Sequence, residues 1–177
     1  MARLEPAPAD VLRAARLAAY AHRGQKRKTS DVPYVVHPLR VAERILGGRV
    51  PLEVDLRVAV LAAILHDVLE DTDVPRERLV EEFGEDVVRV VDEVTQDQSL
   101  PREERRRKMV EGCGRYSLEG RVVKLADRWD NMSELGAMEP DFVARYCAEA
   151  RTMLRNMEGT WPEAEAAIAA IVESSVG

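Results

Sequence analysis

A chain of 177 residues, 46% of them hydrophobic, can bury a core within one domain, and its opening MARLEPAPAD lacks the apolar run of a secretory signal. Aromatic residues are only 5% while charged residues reach 33%, a balance that excludes an ordinary β-sandwich and favours helices rich in Ala, Val and Leu. The net charge of −6 argues against a nucleic-acid partner, and no stretch reaches the ~18 uninterrupted apolar residues of a membrane helix. Cys113 and Cys147 form neither a disulfide framework nor a metal knuckle, so reduced thiols in a cytoplasmic protein are expected.

In chain order, Pro6 and Pro8 predict a loose start, and Asp10 is placed to cap a helix to about Ala21 with Val11, Ala15, Ala18 and Ala19 inward. The polar loop QKRKTSDVPY follows, with Arg23, Lys26, Arg27 and Lys28 crowded around its start. It is either a solvated loop or an anion-binding one. His37 then precedes Pro38, a favoured first helical residue, and PLRVAERILGG predicts a helix with Leu39, Ala42, Ile45 and Leu46 inward. A third helix from about Leu52 is predicted to run unbroken through Val58–Asp73, its apolar stripe of Val58, Leu61, Ala62 and Leu65 ending in His66, Asp67, Glu70 and Asp71. Pro75 opens a short helix closed by Gly84. EDVVRVVDEVTQ carries β-branched residues, yet Val87, Val91 and Val94 share a helical face, and helix is expected. PREERRRKMVEG predicts a helix whose basic run, Arg102 to Lys108, reads as a solvated face or as a flank contacting phosphate. From Leu118, a core stripe of Val122, Leu125, Ala126, Trp129, Met132 and Leu135 is interrupted by Asp127, with Asn131 one turn on. Helices from Pro140, carrying Phe142, Val143, Tyr146, Met153, Leu154 and Met157 as packing, and from Pro162 to Ser174 complete one all-α domain over residues 1–177.

A helix that is apolar at first and ends in His and carboxylates needs compensation for those groups, by partner side chains, water or a metal ion. The polar residues inside otherwise apolar helices are His37, His66, Asp67, Glu70, Asp71, Asp127 and Asn131, and together they can offer two imidazoles and two carboxylates, a mixed donor set suited to a borderline divalent ion. Adjacent His66 and Asp67 diverge by about 100° on a helix, so they share an ion only off the helix flank. Glu70 and Asp71 stand one turn further on.

This pattern resembles the HD phosphohydrolase superfamily. AHRGQKRK (21–28), PYVVHPLRVAERIL (33–46), LHDVLEDT (65–72) and KLADRWDNM (124–132) resemble, in order, the hydrolase domain of bifunctional (p)ppGpp synthetase/hydrolases and the free-standing small alarmone hydrolases. The likeness spans roughly Ala14 to Leu135. It implies a single-domain helical bundle of the HD type, metal ligands His37, His66, Asp67 and Asp127, and Mn2+ as the ion. It also implies catalytic carboxylates Glu70 and Asp71 acting on water, Arg27 and Lys28 against a guanine base, Asn131 contacting the nucleotide, and Tyr34 at the pocket mouth. Arg23 and Lys26 are expected to join Arg27 and Lys28 in holding the substrate, a small guanine nucleotide.

The sequence departs from the family pattern at Trp129 and Asp130, where leucine and histidine are common, and at Ser133, where a basic residue is common. A TKL-like triplet reads Thr95-Gln96-Asp97, and the QKRKTSDVPY loop is one residue longer than in many relatives. These positions are expected to lie clear of the metal set and to bear on nucleotide preference. The implied activity is removal of the 3′-pyrophosphate of ppGpp or pppGpp, without a following synthetase or regulatory domain. The alternatives are an HD hydrolase of another nucleotide, such as a nucleoside monophosphate or the 2′-phosphate of NADPH, and a non-catalytic nucleotide sensor. A DNA-binding helical protein is disfavoured by charge.

Overall fold

The structure, a computed structural model, describes residues 5–28 and 30–176; Thr29 in the basic loop, residues 1–4 of the opening and Gly177 lie outside them. The described residues form helices and turns with no strand, apart from one antiparallel bridge between Lys26 and Pro33. In order the helices are α1 (Pro8–Ala21), α2 (Val36–Gly47), α3 (Leu56–Leu65), α4 (Val68–Asp71), α5 (Arg76–Phe83), α6 (Glu85–Val94), α7 (Arg102–Gly112), α8 (Leu118–Met132), α9 (Pro140–Asn156) and α10 (Pro162–Val176).

The bundle is built around α3. Asp55 starts it, its carboxylate accepting the Val58 N–H, which satisfies one of the unpaired donors of the first turn. Every residue from Leu56 to Leu65 is buried except Arg57, so α3 is apolar all round rather than striped, and α1, α2, α6 and α8 pack on it. α9 and α10 pack together, α10 also packs on α8, and α7 lies on α9. Leu61 is fully buried, and Leu61→Ala is expected to destabilise the fold by about 2–5 kcal/mol through lost burial and the cavity left behind. Urea unfolding checks this as a lower midpoint at unchanged slope.

Several local expectations are corrected. The helix predicted through Val58–Asp73 is broken: α3 ends at Leu65, His66 and Asp67 form a turn, and α4 is a separate single turn. Asp10 is not the cap of α1. Pro8 opens that helix after Ala7, and Asp10 lies in the first turn paired with Arg13. The inner face of α1 is Ala14, Leu17 and Ala18, leaving Ala19 exposed, and on α2 it is Val41, Ala42 and Ile45, leaving Leu39 and Leu46 exposed. The ambiguous valine-rich segment is α6. Val87, Val88, Val90, Val91 and Val94 are buried together while Asp86 and Asp92 face solvent, a distribution that period two cannot produce. Gly84 enters it at φ +90°, backbone that strains any L side chain. Cys113 and Cys147 are both buried and free.

Candidate active site

Three elements bring polar groups to one point. The first turn of α2 carries His37, the turn after α3 carries His66 and Asp67, and the middle of α8 carries Asp127. Potential ligand atoms of His37, His66 and Asp127 lie within 4.8 Å of one another. Asp127 Oδ1 is 3.3 Å from His37 Nε2 and 3.8 Å from His66 Nε2; Asp67 Oδ2 is 3.8 and 3.0 Å from the same two nitrogens. The break after Leu65 is what lets neighbouring His66 and Asp67 face the same point.

The rings present lone pairs there. His66 Nδ1 donates to the Ala63 carbonyl at 2.7 Å, and His37 Nδ1 donates to Asp130 Oδ2 at 2.7 Å, so in the neutral rings both Nε2 atoms are free to bind. His66 Nε2 is buried without a hydrogen-bond partner among the described residues. An orphaned imidazole nitrogen facing a second imidazole and two carboxylates fits a divalent ion.

The electrostatics agree. Burial disfavours the charged form of His66, but Asp67 and Asp127 outweigh it and raise its pKa to about 9. Burial likewise opposes ionisation of Asp127, yet Lys124, 2.9 Å away, and the two imidazoles hold its pKa well below the usual carboxylate range. Without metal, the protonated imidazoles stand in for the cation. The His66 contribution to stability is then fully present below its unfolded pKa of ~6.5 and is lost as pH rises through about 9. Ligation needs the proton removed, so divalent-metal affinity is expected to rise by about tenfold per pH unit from neutral pH towards about 9 for each proton released. Calorimetry in buffers of different ionisation enthalpy should show that release. A pH-independent affinity would count against His66 as a ligand.

Over this point lies a cleft of about 320 Å³. Glu70 and Asp71 face it from α4. Burial raises the pKa of both, partly offset at Glu70 by the Gln96 N–H, which donates to its Oε2 at 2.9 Å. Tyr34 lines the cleft but does more than shape a mouth, because its hydroxyl donates to Asp67 Oδ2 at 2.6 Å. Arg27 is held inward by Glu134 at 2.9 Å and by the Asn131 side-chain oxygen at 3.0 Å, and Asn131 in turn donates to Asp127 Oδ1 at 2.5 Å. Lys28 also reaches the cleft. Arg23 and Lys26 do not. The turn around Gly24, at φ +81°, leaves Arg23 exposed, and Lys26 pairs outward with Asp31.

The opposite wall joins part of the α7 basic run, for which a solvated face and a phosphate-contacting flank were both expected, to an α9 face that was expected to be packing. Arg102 and Arg106 of α7 line it, while Arg107 and Lys108 pair with Glu111 and Glu104 on the outer side of the same helix. α9 adds Phe142 stacked on Tyr146 at 5.3 Å, with the Arg128 guanidinium 3.9 Å over the Tyr146 ring. Glu149 is the anion shared by Arg106, Arg128 and Arg145, at 3.5, 3.8 and 4.0 Å, which leaves this wall with excess positive charge. Gln25 was also unassigned. Its Oε1 accepts from His22 Nδ1 at 2.8 Å and its Nε2 donates to the Asp71 carbonyl at 3.0 Å, bracing the end of α4.

The departures at Trp129, Asp130 and Ser133 do not line the cleft. They form a cluster behind His37, where Arg44 stacks over Trp129 at 4.4 Å and donates to Ser133 Oγ at 2.9 Å. The expectation that they lie clear of the metal set fails at Asp130, which contacts His37 directly.

Known proteins with this arrangement are consistent in kind. A guanosine-3′,5′-bis(diphosphate) 3′-pyrophosphohydrolase MESH1 of Homo sapiens is 38% identical over 166 residues, covering 90% of this chain and 91% of that protein. A guanosine-3′,5′-bis(diphosphate) 3′-pyrophosphohydrolase of Haemophilus influenzae is 41% identical over 139 residues, 75% of this chain but 20% of that longer protein. A solved structure described as a metazoan ortholog of SpoT that hydrolyzes ppGpp superposes with a TM-score of 0.87 at 31% identity, covering 96% of this chain and 97% of the other. No helix among the described residues is long and apolar enough to cross a membrane. The HD domain model matches residues 14–161, and the chain belongs to the HD domain family.

Proposed function

We propose that this protein hydrolyses the 3′-pyrophosphate of ppGpp, and of pppGpp, releasing pyrophosphate and GDP or GTP, with Mn2+ held by His37, His66, Asp67 and Asp127. The observation that carries the reading is the placement of two raised-pKa carboxylates, Glu70 and Asp71, beside that donor set and between two cationic walls. Relatives alike over nearly the whole chain are 3′-pyrophosphohydrolases of the same nucleotide, which supports the substrate. When bound, the ion supplies positive charge that polarises a phosphoryl oxygen and makes hydroxide available near neutral pH.

The chain's own residues do the rest. Glu70 and Asp71 orient the attacking water and accept its proton. Burial raises their pKa and so makes them stronger bases than exposed carboxylates. The water oxygen attacks the phosphorus joined to O3′, and the P–O3′ bond breaks with its electrons going to O3′. That oxygen takes up the proton delivered to Glu70 or Asp71 and becomes the 3′-hydroxyl of GDP or GTP, and the attacked group departs with the water oxygen as pyrophosphate. Arg27 and Lys28 sit where the guanine base packs, with Asn131 and Tyr34 beside them. The wall of Arg102, Arg106, Arg128 and Arg145 takes the 5′-diphosphate.

Incubation with ppGpp and Mn2+, following GDP and pyrophosphate, tests the reading. Orthophosphate release from a nucleoside monophosphate or NADPH, with ppGpp untouched, would replace it with the alternative substrate class. That alternative was motivated by Trp129, Asp130 and Ser133, and none of the three borders the cleft.

A further inference from the structure

Asp130 is 1% exposed and makes three charged contacts at once. Its Oδ2 accepts the His37 Nδ1–H at 2.7 Å and an Arg40 N–H at 3.1 Å, while its Oδ1 lies 3.0 Å from Arg40 Nε and 3.4 Å from Arg44 Nη2. Asp127 and Asp130 are three residues apart on one face of α8, so the two carboxylates grip opposite nitrogens of one imidazole. The other imidazole, His66, leans instead on a neutral carbonyl, that of Ala63. The two candidate ligands are therefore supported unequally.

We infer that Asp130 is a positioning residue for the metal site, holding His37 with its proton on Nδ1 and its Nε2 lone pair aimed at His66 and Asp127. An ionised carboxylate only accepts, so it leaves His37 a single neutral tautomer; an amide or a second imidazole in its place could donate and allow the other. The negative charge also makes the ring a stronger donor to a cation. Arg40 and Arg44 hold Asp130 in place inside the fold, and Glu134 holds Arg40 from the other side while it holds Arg27 in the cleft. Where family resemblance leads one to expect histidine, this chain uses a buried carboxylate clamped by two arginines.

This inference rests on His37 being a metal ligand, and the test separates the two. Metal-stripped wild type, His37→Ala, Asp130→Asn and Ser133→Ala are titrated with Mn2+, and free Mn2+ is read by electron paramagnetic resonance. Asp130→Asn is expected to weaken binding by about 10–100-fold, the usual scale for partners of ligating histidines. Ser133→Ala, which disturbs the same cluster through Arg44 and the Trp129 carbonyl without touching Asp130, should leave affinity unchanged. Proton–nitrogen correlation spectra of the metal-free protein at alkaline pH should show His37 wholly protonated on Nδ1 in wild type and as mixed tautomers in Asp130→Asn. Unchanged Mn2+ affinity in a folded Asp130→Asn overturns the inference while leaving His37 a ligand. Equal affinity in His37→Ala and wild type overturns both. If Asp130→Asn does not fold, Arg40→Gln decides: Arg40 is partly exposed, and its loss should weaken Mn2+ in the same direction, whereas unaltered affinity overturns the inference.

Discussion

Replacing Asp67 by Ala is expected to abolish both stoichiometric Mn2+ binding and hydrolysis of ppGpp. Asp67 is the residue on which the site's contacts converge: His66 Nε2 at 3.0 Å, His37 Nε2 at 3.8 Å and the Tyr34 hydroxyl at 2.6 Å. Burial works against its ionisation, yet His66 and His37 hold its pKa below the usual carboxylate range, so it is an anion at any working pH. Alanine removes one of two negative charges from a nest containing two imidazoles, and what remains binds a cation poorly. The loss in kcat/KM should be on the order of 10³-fold or more, the scale seen when preorganised charge at a reacting oxygen is removed. The main chain at 67 lies in the turn that leads into α4, geometry alanine accepts, so the melting temperature in the absence of metal should change far less than activity does. Metal analysis and steady-state kinetics check this together. A variant that kept Mn2+ and turned over ppGpp normally would remove Asp67 from the ligand set.

The parts of this site that were legible from sequence are those where composition changes abruptly along one segment. His66, Asp67, Glu70 and Asp71 follow an apolar run, and Asp127 interrupts another, so their grouping needed only periodicity and the chemistry of the side chains. The break at His66 was not legible. α3 is buried on every side, and a run that is apolar all round carries no phase from which a helix end can be read. Asp130 had a signal, its three-residue spacing from Asp127, but its partner His37 is 93 residues away and only tertiary packing brings them together. The α9 wall was hidden differently. Phe142, Arg145, Tyr146 and Glu149 share one helical face, and their aromatic content reads as core until the fold sets that face against a cleft beside Arg106 and Arg128. In the basic loop, sequence crowding put Arg23 and Lys26 on the same footing as Arg27. A glycine turn and one exposed ion pair separate them.

Glu70→Gln should divide binding from chemistry. Glu70 faces the cleft from α4, and its Oε2 accepts the Gln96 N–H, an anchor that a glutamine carbonyl oxygen can also accept. The side chain should therefore keep its pose, and the proposed ligand set of His37, His66, Asp67 and Asp127 is untouched. What is lost is the ability to take a proton from water. Mn2+ affinity and KM for ppGpp are accordingly expected to stay near wild type while kcat falls by about 10²–10⁴-fold, the usual contribution of a positioned general base. Asp71, whose pKa is raised by burial and by Asp67, is the remaining carboxylate close enough to share the water. Residual turnover in Glu70→Gln should therefore run through it, and adding Asp71→Asn should lower kcat by more than the product of the two single effects, because each carboxylate can stand in for the other in one proton transfer. A kcat for Glu70→Gln near that of wild type would leave Asp71 as the base and Glu70 as a brace between α4 and the Gln96 backbone.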